Sequence, residues 1–186
     1  AETKVTAPQD EPAHPANCPH CGWDLKDKST VEPSKADIGS FLRSVMAGEV
    51  YTRVVKMFGH AVEATYRTRT ELEDEGVRDA IRYLIRSNKI ENDRDLMNRL
   101  RRVHLALSIA ELRLGKEVLV FENIASLLKD KIRDGEAFLA EVDRRLSRIP
   151  TQLLGALYRS FDEFTSQVET MTARAQDPDF WIGSAA

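Results

Sequence analysis

From residue 70 onward, apolar residues recur every three or four positions, which is the spacing of the buried face of an amphipathic α-helix. Thr70 and Glu73 fit a capping box, in which a hydroxyl and a carboxylate each accept a hydrogen bond from a backbone N–H at a helix start. Asn92 or Asp93 is predicted to begin a second helix, which Gly115 ends. The predicted helices span about 70–87, 92–114, 122–133, 136–149 and 150–175.

Residues 50–69 carry a different pattern, because β-branched and aromatic residues dominate there. Within 62–66 every second residue is apolar, which predicts a strand with one buried face and one wet face. Gly59 and His60 separate the two apolar runs, and such a Gly-X pair suits a type II′ hairpin turn. We therefore predict one β-hairpin, which must pack on helices or on another chain because a lone hairpin is marginally stable in water.

A short helix over 38–46 is predicted before the hairpin, with Asp37 as its N-cap and Gly48 at its end. The fold class predicted for residues 37–186 is mainly α, a helical bundle with one β-hairpin. Residues 1–36 form a separate segment, because five of the seven prolines of the chain lie among them. Proline at this density interrupts helices and sheet ladders, so we expect an extended N-terminal arm.

Charge and composition narrow the function classes. A net charge of −3 and a pI near 5.9 disfavour nucleic acid as a partner, since nucleic-acid-binding domains are usually basic. The sequence offers neither the roughly 18–20 consecutive apolar residues of a membrane span nor a secretory signal at its start. Ala1 fits a start from which an initiator Met has been removed, which favours synthesis in the cytoplasm.

The only two cysteines, Cys18 and Cys21, lie in a C-P-H-C-G turn within the arm, so a disulfide framework is excluded. Two thiolates across a tight turn that glycine permits have the shape of half a zinc knuckle. A closed tetrahedral site needs four ligands, which nearby histidines, the body of the chain or other chains could supply. The predicted zinc ligands are Cys18, Cys21, His14 and His20, with His60 and His104 as the histidines available in the body.

The cysteines have two other interpretations, of which the first stays open and the second is disfavoured. The plain alternative is a pair of free thiols in the arm. A thioredoxin-like redox pair is disfavoured, because the motif follows no predicted strand and begins no predicted helix. His60 is expected to be a turn residue, because it lies at the tip of the predicted hairpin. His104 lies on the edge of an apolar stripe, so it is expected to be a core histidine rather than a ligand.

Aromatic residues flank the body at both ends of the chain. Trp23 and Leu25 follow the knuckle directly, and they either dock into a groove of a partner or, in the case of Trp23, cover the knuckle itself. Phe180 and Trp181 follow the last helix, and they either cap the core of the chain or dock elsewhere, because an exposed apolar pair is an aggregation liability.

No catalytic motif is present, so we predict that the chain is not an enzyme. The carboxylates at the start of the helix at 70–87 are expected to interact with the helix dipole rather than to do chemistry. Two arginine clusters are expected to be solvated helix faces, or interfaces with an acidic neighbour, rather than nucleic-acid sites. These clusters are Arg99, Arg101 and Arg102, and Arg144, Arg145 and Arg148.

Several short segments together resemble tail proteins of long-tailed bacteriophages. They are the run at 41–49, the strand that reaches Phe58-Gly59, the second strand that ends in Tyr66-Arg67-Thr68 before an acidic helix start, and the ending at 177–181. The family includes baseplate-hub or tail-tip components and tail assembly chaperones. The C-P-H-C-G arm departs from the chaperone pattern, since that role does not require a metal-type turn.

The resemblance implies a structural, non-enzymatic component of a phage tail that is fastened to neighbouring subunits by its N-terminal arm. The expected partners are other tail or baseplate proteins and symmetry-related copies of the chain, and the expected location is the virion. One alternative is a tail assembly chaperone that binds a tail or tape-measure protein. Another is a small zinc-knuckle regulatory protein, against which the acidic pI counts.

Overall fold

The computed structural model describes residues 33–177 of the 186-residue chain. Within that range the fold is mixed, with six α-helices and a four-stranded antiparallel sheet in the order β1-β2-β3-β4. The helices are α1 Lys35–Met46, α2 Glu71–Arg86, α3 Asp93–Ser108, α4 Ile124–Leu128, α5 Gly135–Leu146 and α6 Thr151–Gln176. The strands are β1 Thr52–Met57, β2 Val62–Arg67, β3 Ile109–Leu114 and β4 Glu117–Val120. The prediction of a mainly α fold is confirmed only in part, because helices dominate but a four-stranded sheet makes the fold mixed. The prediction of a single β-hairpin is wrong.

The first helix begins earlier than predicted, because Ser34 and not Asp37 is its N-cap. The Ser34 hydroxyl accepts a hydrogen bond from the Asp37 N–H at 3.2 Å, and the Asp37 carboxylate accepts one from the Ser34 N–H at 3.0 Å. Gly48 follows the helix with a φ of +69°, and the N–H of Glu49 reaches back to the Ser44 carbonyl at 2.8 Å. This Schellman motif confirms Gly48 as the stop signal. The predicted domain boundary at 36/37 stays a prediction.

The other helix starts follow the sequence signals closely. Thr70 and Glu73 form the predicted capping box of α2, and Asn92 caps α3. The helix predicted at 122–133 is much shorter, because α4 ends at Leu128 and a 3-10 turn follows. At Lys129 the φ of +47° breaks the helical path.

The sheet is larger than predicted because the second long helix ends at Ser108, six residues before its apolar stripe does. Residues 109–114 form β3, which pairs with β2 on one side and with β4 on the other. Gly115, with a φ of +60°, begins the two-residue turn to β4. Ala, Glu, Leu and Arg favour helix in isolation, so pairing with β2 overrides local propensity here.

The connection between β1 and β2 also differs from the predicted two-residue type II′ turn. Met57 pairs with Val62, which leaves the four residues 58–61 in the connection. Phe58, Gly59 and His60 all have positive φ, whereas a type II′ turn needs a positive φ at only one central residue. Longer loops of this kind are the next most common hairpin connection.

The inner face of the sheet lies on α6. The Tyr66 hydroxyl oxygen is 2.7 Å from the Ser160 Oγ and donates to the Leu157 carbonyl at 3.1 Å. The Tyr66 ring stacks on Phe164 with 5.6 Å between centroids. No helix within residues 33–177 is long and apolar enough to cross a membrane.

Candidate functional site

The residues predicted to bind zinc or to dock partners are not among those that the structure describes. Zinc binding and docking by these residues therefore stay predictions. The predicted site residues that lie outside 33–177 are Cys18, Cys21, His14, His20, Trp23, Leu25, Phe180 and Trp181.

The two histidines of the body belong to no metal site within 33–177, where no three His, Cys, Asp or Glu side chains are grouped to hold an ion. His60 is exposed in the β1–β2 turn, which confirms it as a turn residue. His104 is half-buried on α3, and burial, together with nearby Arg69, lowers the pKa of its imidazole. A neutral, partly buried His104 agrees with the prediction of a core residue.

The arginines of α3 meet acidic neighbours, as one of the two predicted interpretations requires. Arg101 pairs with Asp162 of α6, and the Arg102 Nη2 lies 3.0 Å from an Asp143 carboxylate oxygen of α5. The neighbours are therefore helices of the same chain. Because these pairs are about half exposed, each contributes little to stability.

The arginines of α5 are arranged differently, since Arg145 is buried with 2% of its surface exposed. Its Nη1 donates to the Ala106 carbonyl at 3.2 Å, and its Nε lies 3.4 Å from a Glu141 oxygen. Its Nη2 is buried and has no hydrogen-bond partner among the residues described. Burial lowers the pKa of the guanidinium, and the carboxylate of Glu141 opposes that shift. Buried donors without a partner are rare in folded proteins, so this one marks the site.

Arg145 lines a cleft of about 320 Å³ between the end of β4 and α5. Three arginines from α5 and the segment that follows it line one side, and the end of β4 lines the other. The guanidinium carbon of Arg148 lies 5.3 Å from the centre of the Phe121 ring, and its Nη1 lies 3.4 Å from the Val120 carbonyl oxygen. The lining residues are Val120, Phe121, Glu122, Leu127, Arg144, Arg145 and Arg148.

Glu141 partly neutralises these arginines. Two nitrogens of Arg144 donate to its two carboxylate oxygens at 2.7 and 2.6 Å. These hydrogen bonds, followed in weight by the charges of Arg144 and Arg145, lower the pKa of Glu141 against the opposing effect of burial. Three guanidinium charges stand against the carboxylates of Glu122 and Glu141, so one positive charge is in surplus.

The cleft continues into the free edge of the sheet at β4. Phe121 directly follows β4, and its N–H donates to the Ala110 carbonyl at 2.8 Å. This hydrogen bond determines which backbone groups of β4 point toward β3. Because facing alternates along an antiparallel strand, the backbone N–H and C=O groups of Val118 and Val120 point away from β3. Their side chains are 46% and 58% exposed.

The opposite edge, β1, is better protected. Thr68 donates its N–H to the Tyr51 carbonyl at 2.9 Å, so Val54 is the apolar residue whose backbone faces the free side. Val54 is 52% exposed, but polar Thr52 and Lys56 flank it on the same face. Charged side chains on an edge strand hinder pairing with other chains, and β4 has none between its two valines.

An edge strand and a cationic cleft together can bind an extended peptide, through main-chain hydrogen bonds and one charged contact. The sequence indicated the arginine cluster of 144–148 but not β4, which holds the other half of the site. The alternation around Leu112 could have revealed β3, and the turn signal at Gly115 could have revealed that a further strand, β4, follows it. Comparison of the chain with protein-family models, with curated proteins and with solved structures finds no match.

Proposed function

We propose that the chain is a non-enzymatic subunit that binds other protein chains through the free edge of β4. The observation that carries the proposal is the outward-facing backbone of Val118 and Val120, whose own apolar side chains are exposed. The Val120 carbonyl lies 3.4 Å from the Arg148 Nη1, which leaves the Val118 N–H, the Val118 carbonyl and the Val120 N–H for an added strand. A strand edge of this kind is a template for adding a strand from another chain.

Contrast between the two edges of the sheet supports the choice of β4. Natural sheets protect edges that must stay unpaired, and β1 carries such protection in Lys56, which pairs with Glu63 at 3.5 Å. On β4 the two exposed valines face the solvent without a charged residue between them. A short strand of four residues would give a modest contact, suited to one contribution among several in an assembly.

Within this class, the resemblance of segments 41–49, 56–59 and 62–70 to phage tail proteins supports a more specific role. The chain would be a structural component of a bacteriophage tail, at the baseplate hub or tail tip, and the arm at 1–36 would fasten it to neighbouring subunits. The candidate edge of β4 lies outside those segments, so the two lines of support are independent.

Mass spectrometry of purified tail particles tests the specific role. We expect the chain in fixed copy number relative to the other tail proteins. If it is made in infected cells but missing from mature particles, the structural role is overturned in favour of a tail assembly chaperone.

A pair of proline variants tests the use of β4. In Val118→Pro the lost N–H points away from β3, so the β3–β4 hydrogen bonds stay while a donor of the free edge is removed. Val54→Pro makes the matched change on β1. We expect Val118→Pro to reduce incorporation into particles and Val54→Pro to leave it unchanged. Equal incorporation of the two folded variants would contradict the role of the β4 edge.

A further inference from the structure

The cleft at the end of β4 combines a surplus positive charge with a free strand edge. Val120 belongs to both, since its backbone faces the free side of the sheet and it lines the cleft. We infer that the cleft binds a side-chain carboxylate of an extended, acidic segment of a partner chain that adds to β4. This inference rests on the proposed function, because the same edge holds the segment.

Arg148 is the direct contact for that carboxylate. It is exposed, and within residues 33–177 it forms no ion pair with an acidic side chain. The Phe121 ring lies against its guanidinium and restricts its motion, so that ordering this side chain on a ligand has a smaller entropic cost. The contact of its Nη1 with the Val120 carbonyl holds the group at the strand edge.

Arg145 adds a second positive charge next to the same anion. The side chain lines the cleft although it is almost wholly buried, and its Nη2 has no hydrogen-bond partner among the described residues. Its other nitrogens are held by Ala106 and Glu141. A carboxylate in the cleft adds a negative charge beside an incompletely paired guanidinium, in surroundings where charge is weakly screened.

The charge count selects the ligand class. The lining and its hydrogen-bonded Glu141 leave one positive charge in surplus. A carboxylate carries one negative charge, whereas a phosphate monoester carries about 1.5 to 2 at neutral pH. Glu122 in the lining would repel the second charge of a phosphate. The cleft therefore fits an acidic peptide side chain better than a phosphorylated one.

A second arginine-rich surface on α2 provides the control. Three arginines of this surface are each hydrogen-bonded to a carboxylate: Arg78 to Glu71, Arg82 to Asp79, and Arg133, from the segment before α5, to Glu75. Because Asp79 already neutralises the charge of Arg82, we do not expect Arg82 to bind an added carboxylate. Arg82→Gln therefore removes a surface guanidinium without affecting the cleft at β4.

The test uses the full chain and two short blocked peptides of alternating threonine and valine. One peptide carries a glutamate at each end, and the other carries glutamine at the same positions. Binding is measured by fluorescence anisotropy at low and physiological salt. We expect the glutamate peptide to bind about tenfold more tightly than the glutamine peptide. Arg148→Gln should remove this difference, and Arg82→Gln should preserve it.

The outcomes separate this inference from the proposed function. Val118→Pro should weaken the binding of both peptides, since it removes a donor that either would use. Equal affinities of the two peptides, both sensitive to Val118→Pro, would overturn the carboxylate site and leave the edge in place. Failure of both peptides to bind would overturn the two together. A dimer of the free chain that Val118→Pro abolishes would replace the partner segment with a second copy.

Discussion

Arg67, at the end of β2, and Glu73, in the first turn of α2, form a two-pronged ion pair in the interior of the protein. Their side chains are 7% and 0% exposed. The Arg67 Nη1 donates to one carboxylate oxygen at 2.9 Å, and that oxygen also accepts from the Thr70 N–H at 3.0 Å. One carboxylate therefore joins the helix cap to the sheet.

We expect Glu73→Gln to lower the free energy of unfolding by about 3–5 kcal/mol, because it leaves the buried Arg67 charge without its counterion. The control is Glu71→Gln, which removes an exposed pair with Arg78 and should cost far less. Urea denaturation followed by circular dichroism measures both. Equal costs for the two variants would show that the buried pair does not anchor α2.

Two helical glycines are expected to respond to alanine in opposite directions. A Cβ at Gly76 would lie 2.6 Å from the Cε2 of Phe138, whose side chain is wholly buried. We expect Gly76→Ala to lower the free energy of unfolding by about 1–3 kcal/mol. Gly155 has open space at the same position, so Gly155→Ala should raise it by up to about 1 kcal/mol. Thermal melts of both variants check the signs; a stabilised Gly76→Ala would contradict the close approach of α2 and α5.

The parts of the fold that sequence could predict are those coded locally. The capping box of Thr70 and Glu73 needs only residues three apart, and the stripes of α2, α5 and α6 need only one helix each. The second role of Glu73, as the partner of Arg67, could not be predicted, because it depends on where the end of β2 meets α2. Because Glu73 is buried against Arg67, its carboxylate forms an interior ion pair as well as capping α2.

The strand β3 shows why the sequence predicted the arginine cluster of the candidate site but not the strand β4 beside it. Its alternating residues around Leu112 also continue the helical stripe of α3, so periodicity alone does not separate helix from strand there. Pairing with β2 decides the outcome, and that pairing is a long-range contact. Arg144, Arg145 and Arg148 could be recognised as a cluster, but which of them is buried depends on Ala106 and Glu141.

Acid should destabilise the protein partly through His104. Burial lowers the pKa of its imidazole below 6.5, with Arg69 lowering it further and Asp74 opposing, so the unfolded chain binds the proton more readily than the folded one. The free energy of unfolding should therefore fall as the pH drops below about 6.5. Denaturation from pH 7.5 to 5 should show a shallower fall for His104→Gln. An unchanged slope in His104→Gln would contradict the assignment.

The cysteine turn of the arm leads to a prediction that is independent of the sheet edge. Two thiolates at Cys18 and Cys21, with His14 and His20 close to them in the sequence, should bind one zinc ion per chain. Elemental analysis of the full chain, purified with zinc and dialysed, should give one equivalent, and Cys18→Ser with Cys21→Ser should give none. His14→Asn and His20→Asn separate the local ligand set from one completed by another chain, because zinc that survives both changes must have ligands elsewhere. Absence of zinc from both the isolated chain and assembled particles would leave only two thiols in a turn.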